Sequence, residues 1–136
     1  MPVPAGRVLE ALEDPFTLPR WTGHRLVRRV EGQLVEVRLH GDVPLAVQRT
    51  DSGVTFTWSL SGHSLSIPFR VVDAGGDARV SVALPPLPPE RLARTRSIVA
   101  AELRCLRALL AGEPAAAEDL ATVDAFHLDV HTRKGL

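Results

Sequence analysis

Two histidines and a carboxylate stand at every second position in His127-x-Asp129-x-His131, near the end of a 136-residue chain. These are ligand types that zinc and iron accept. In a strand the three side chains share one face, each about 7 Å from the next, because a residue rises about 3.4 Å. Ligands strung along an exposed strand rarely converge on one ion. The plainer reading is a wet face opposite Phe126, Leu128 and Val130, and no metal is assigned. His24, His40 and His63 sit near turns or strand ends, where an imidazole can act as a base near neutral pH. None has a nucleophile or acid at meaningful spacing. The chain has no Gly-x-Ser-x-Gly, P-loop or dinucleotide motif and no tyrosine. The single cysteine, Cys105, lies among Leu103, Leu106 and Leu109, where a thiol usually serves as a small buried hydrophobe. No catalytic residue and no cofactor follow from these groups.

The elements that would position any site are clearer. Val8, Leu9, Ala11 and Leu12 give a short helix over Val3 to Leu12 one apolar side, and Pro15 ends it. Phe16 to Trp21 is a second apolar turn, with Gly23 as its stop. Period-two alternation then takes over. Val54, Phe56, Trp58 and Leu60 fall on one face, and Leu65, Ile67, Phe69 and Val71 repeat the pattern, as do Val80, Val82 and Leu84. Gln33 to His40 places Val35, Val37 and Leu39 inside and Glu36, Arg38 and His40 outside. His24 to Glu31 and Val43 to Thr50 are weaker strands. Glu31-Gly32, Gly41-Asp42, Asp51-Ser52-Gly53, Ser61-Gly62 and Ala74-Gly75-Gly76-Asp77 are tight-turn chemistry, so the strands form an antiparallel meander of about six. A proline-rich segment, Leu84 to Pro89, introduces a long helix from Pro89 to Ala111, closed by Gly112 and Pro114. Its stripe is Leu92, Val99, Leu103, Leu106 and Leu110, with Arg94, Glu102, Arg104 and Arg107 toward water.

Length and charge bound the function. The chain fits one domain, with residues 1–112 as its body and 113–136 as an extension. It carries 16 basic and 16 acidic residues, 45% hydrophobic and 4% aromatic. A zero net charge lacks the positive field that nucleic-acid binding requires. No 18-residue apolar stretch and no signal pattern are present, so the expectation is a cytoplasmic protein that inserts in no membrane.

The opening Pro4-Ala5, Val8-Leu9-Glu10-Ala11-Leu12, Asp14-Pro15 and Leu18-Pro19-Arg20-Trp21, followed by these strands and the long helix, resembles the START-like or Bet v 1-like superfamily, the polyketide cyclase/dehydrase and lipid-transport group. The resemblance covers roughly residues 2–111. It implies an α+β helix-grip fold, a curved antiparallel sheet around the C-terminal helix with an apolar cavity between. The family's usual first strand is absent or vestigial here, and Thr122 to Thr132 is expected to fill the edge it leaves. The expected cavity lining is Phe56, Trp58, Ile67, Phe69, Val82, Val99 and Leu103. Arg28 shares parity with Leu26 and Val30, and Arg49 with Val43, Leu45 and Val47, so each is a candidate for an acidic ligand group. Three functions follow as expectations. The first is binding of a small apolar or amphipathic ligand such as a lipid, fatty acid or polyketide-like compound. The second is a cyclase or hydrolase with a cavity histidine as base. The third is a ligand-free interaction module, including a homodimer whose cavity is filled.

Overall fold

The computed structural model describes residues 3–22, 26–37 and 41–123. The chain is α+β, with a six-stranded curved antiparallel sheet followed by one long helix, an arrangement consistent with a helix grip.

Helix α1 spans Ala5–Glu13 and buries Val8, Ala11 and Leu12. Asp14 ends it, and its carboxylate accepts the Phe16 amide at 3.0 Å to start a single 3₁₀ turn, Pro15–Thr17. Helix α2, Leu18–Thr22, follows at once and buries Leu18, Trp21 and Thr22. Gly23, the expected stop, lies outside the described residues.

The strands are β1 Val27–Val30, β2 Gln33–Glu36, β3 Val43–Thr50, β4 Gly53–Leu60, β5 His63–Ala74 and β6 Asp77–Val82. They pair in sequence order, as the short connections require. The registers place Leu45, Val47, Val54, Phe56, Trp58, Ile67, Phe69, Val80 and Val82 on one inner face. Thr55, Thr57, Ser64, Ser66 and Arg70 take the outer face, where the Thr57 and Ser66 hydroxyls lie 3.0 Å apart. Gly53 begins β4 rather than completing the turn. A Cβ there would lie 1.8 Å from the Phe69 carbonyl oxygen, so close backbone approach makes glycine necessary.

The parity of β2 differs from the sequence expectation. Glu36 pairs with Val43 and shares the inner face, whereas Val35 pairs with Pro44 and lies on the outer one. The two-residue turn Glu31-Gly32, both at positive φ, fixes this register, and Leu34, Val35 and Glu36 are all buried. A strand covered on both sides cannot announce its inner face by hydrophobic alternation.

Helix α3 runs Pro89–Ala111, with the bounds read from the sequence, and Gly112 closes it at φ 71°. Its buried residues are Ile98, Ala101, Glu102, Cys105 and Leu106. Leu92, Val99, Leu103 and Leu110 are only half-buried, so the tightly packed face is rotated from the expected leucine stripe. A further helical segment, 117–123, packs Val123 into the same core, and Asp119 accepts Arg104 Nε at 2.9 Å. Thr122 and Val123 are therefore helical, and the rest of the expected strand to Thr132 lies outside the described residues, as does His127-x-Asp129-x-His131.

The N-terminal segment meets β6 at Val3. The Ala78 amide donates to the Val3 carbonyl at 2.9 Å, and the Val3 amide donates to Asp77 Oδ1 at 3.0 Å. Asp77 also accepts Arg107 Nη2 at 2.9 Å, tying the N-terminal segment, β6 and α3 together. The Val3 amide and then the Arg107 guanidinium hold this carboxyl below the usual carboxylate range, against a smaller opposing effect of burial. A depressed folded pKa stabilises the fold above the unfolded value near 3.8, and the gain is lost as pH falls through the lower folded value. Asp77→Asn lacks that gain. Thermal melts are expected to separate the variant from wild type most at neutral pH and to converge below pH 3.8. A gap that stays constant down to pH 2 would contradict the linkage.

Candidate functional site

The inner sheet face has a filled centre. Phe56 and Val54 are almost fully buried, and Phe56 stacks on Trp58 at 6.0 Å and meets Phe69 edge-on at 5.2 Å. Trp21 of α2 reaches down to the same cluster, its ring edge-on to Phe69 at 6.1 Å. The backbone of α3 lies alongside α2. With α2 wedged at one end, α3 leaves open recesses along its flank, three of them lined by described residues.

The first, of about 50 Å³, is lined by Leu18, Trp21, Thr22, Phe56, Trp58, Ile67, Phe69, Val99 and Glu102. Its chemistry is aromatic and aliphatic with a few polar groups. Thr22, Glu102 and the indoles of Trp21 and Trp58 supply them, and all four residues are buried. The Thr22 hydroxyl donates to the Leu18 carbonyl within its own helix. Trp21 Nε1 is shut off from water and has no hydrogen-bond partner among the described residues.

The second recess, of about 500 Å³, lies between the proline-rich segment after β6 and the flank of α3. Leu84, Pro85, Pro86 and Leu87 form one wall, and Leu92, Arg96, Val99 and Leu103 the other. Val99 lines both recesses. A third recess of about 200 Å³ sits between Val3, Val8, β6 and Leu103 to Leu110, with the Asp77–Arg107 pair at its edge.

Of the residues expected to line a cavity, Phe56, Trp58, Ile67, Phe69 and Val99 come together in the first recess, and Val82, Val99 and Leu103 in the second. The two arginines do not join them. Arg28 pairs with Val35 on the outer face, is exposed, and bonds Asp42. The turn-fixed register of β1 and β2 overturns its expected parity. Arg49 does share parity with Leu45 and Val47, but the strand ends there. Its Nη1 instead bonds Glu13 Oε2 at 3.0 Å at the end of α1, with both side chains partly in water. Sequence reasoning missed Leu18, Trp21, Thr22 and Glu102 as lining residues. It placed Trp21 in an apolar turn without a site role and sent Glu102 to solvent by residue type. Glu102 nonetheless stands at helical spacing with Ile98, Ala101 and Cys105, which was the available signal.

His63 is the only histidine among the described residues, and it is exposed at the β4–β5 turn, its Nδ1 3.2 Å from the Ser61 carbonyl. His24 and His40 lie outside the described residues. No group of three potential metal ligands occurs among the described residues. No helix among them is long and apolar enough to cross a membrane. No family model matches the chain, and no curated protein or solved structure matches it.

The geometry separates structural from ornamental residues. Phe56→Ala is expected to cost about 3–5 kcal/mol by opening the aromatic centre. Arg28→Ala and Arg49→Ala break solvated pairs and should each cost under about 1 kcal/mol. Urea titration of the three variants checks this, and an arginine variant as damaging as Phe56→Ala would contradict the assignment.

Proposed function

We propose that the protein binds an apolar or amphipathic small molecule between its sheet and α3. The observation that carries this reading is the trough of about 500 Å³ between the proline-rich segment and α3. A small aromatic recess shares Val99 with this trough, which is walled on one side by prolines. Ligand sites are typically apolar concavities with a few placed polar groups, in the range of about 300–1,000 Å³. The trough falls within that range, and the small recess beside it adds buried polar groups. The resemblance of roughly residues 2–111 to the START-like superfamily supports the same reading, since that family's helix-grip proteins hold apolar ligands between sheet and C-terminal helix.

The energetics are adequate. Each methylene taken from water contributes about 0.8 kcal/mol, so a ten-carbon chain supplies roughly 8 kcal/mol before the cost of association is subtracted. The rigid proline wall reduces the ordering cost, because its backbone is already constrained.

Native mass spectrometry of the purified chain tests the proposal. The expected result is a species heavier than the 14.7 kDa chain that returns to chain mass on denaturation, releasing an apolar compound. A bare chain, both as purified and after incubation with mixed fatty alcohols and fatty acids, would overturn it.

A further inference from the structure

Resting on that binding reading, we infer that the ligand is a single-chain carboxylic acid, its head held by Arg96 at the rim of the trough and its chain lying along α3 toward Leu103. Leu92, Arg96, Val99 and Leu103 line the helical wall of the trough. Their spacings of four, three and four residues stand them in a line on one face of α3. That line is apolar except at Arg96. The facing wall, Leu84, Pro85, Pro86 and Leu87, carries no charge.

Arg96 differs from the arginines already placed. Arg28, Arg49, Arg104 and Arg107 each bond a carboxylate of the chain. Arg96 has no such partner among the described residues, and no acidic side chain lines the trough with it. It is exposed, and an arginine can rest its apolar stem on such a wall while its guanidinium stays in water. The guanidinium presents a planar fork of N–H donors that matches the two oxygens of a carboxylate. One positive charge balances one negative charge. An alcohol head gains no ion pair there, and an ammonium head is repelled. The acidic group that the sequence assigned to Arg28 or Arg49 thus falls to a third arginine, the one set beside an apolar concavity.

Distance along the helix gives the ligand its direction. With a rise of about 1.5 Å per residue, Arg96 stands about 6 Å from Leu92 and about 10 Å from Leu103 along the axis. The longer apolar run lies past Val99 toward Leu103, so the chain extends that way. The carboxylate at the rim keeps much of its water and loses little hydration on binding. Its pair with Arg96 therefore discriminates between heads, while the buried chain supplies most of the affinity.

Calorimetric titration of the full chain with decanoate, 1-decanol and decylamine tests the inference, since the three share a chain and differ in head charge. At about pH 8 and about 20 mM salt the acid is ionised, the amine is protonated and screening is weak. Decanoate is expected to bind about threefold to fivefold more tightly than decanol, and decylamine more weakly than decanol by a similar factor. Raising the salt to about 0.5 M is expected to close these gaps. Arg96→Glu is expected to reverse the order, so that decylamine binds more tightly than decanoate. Arg96→Gln is expected to bring the three together, and serves if Arg96→Glu does not fold. Decanol binding as tightly as decanoate to the wild type, or an Arg96 variant that shifts all three ligands alike, would overturn the carboxylate assignment and leave the binding reading standing. Failure of all three probes to bind would overturn both.

Discussion

The five-residue helix α2 is the spacer on which the arrangement depends. An antiparallel sheet with one apolar face must cover that face, and a single straight helix cannot follow a curved sheet along its whole length. Leu18, Trp21 and Thr22 fill the end nearest α1 and meet both Phe69 below and α3 above. Held there, α3 packs Ile98, Ala101 and Cys105 tightly and leaves Leu92, Val99, Leu103 and Leu110 half-buried beside open space. The recesses follow from how α3 is seated, while the sheet beneath them is closely packed.

The opposite end is fixed by polar contacts. Asp77 receives the Val3 amide and the Arg107 guanidinium, so a single carboxylate joins the first described residue, the last strand and the long helix. Arg104 and Asp119 add a second tie between α3 and segment 117–123. The exposure of these pairs limits their individual worth, but their positions set where α3 can lie. Aromatic packing at one end and ion-paired anchors at the other hold the helix at the distance from the sheet that the proposed site needs.

Much of this was legible in residue order. The alternation through Val54, Phe56, Trp58 and Leu60 gave the inner face of β4, and Pro89 and Gly112 bounded α3. These signals are local, so no tertiary context could override them. What was hidden depended on register or on depth. Arg28 and Glu36 exchanged faces because a tight turn, not the apolar pattern, sets the phase of a strand covered on both sides. Glu102 was hidden by its residue type, since a carboxylate is assigned to water until its neighbours on the helix are weighed. The small recess draws its lining from residues some 80 positions apart, Trp21 and Glu102, and no spacing rule connects them.

The two tryptophans allow the central claim, that a ligand sits between sheet and α3, to be tested in one spectrum. Trp21 and Trp58 both line the small recess, and the chain has no other tryptophan. A ¹⁵N-labelled sample therefore gives two indole N–H signals, which Trp58→Phe assigns. On titration with 1-decanol at least one of the two indole signals is expected to move, because both rings line the recess. Decanol binding that leaves both indole signals in place would put the ligand elsewhere and contradict the proposed site.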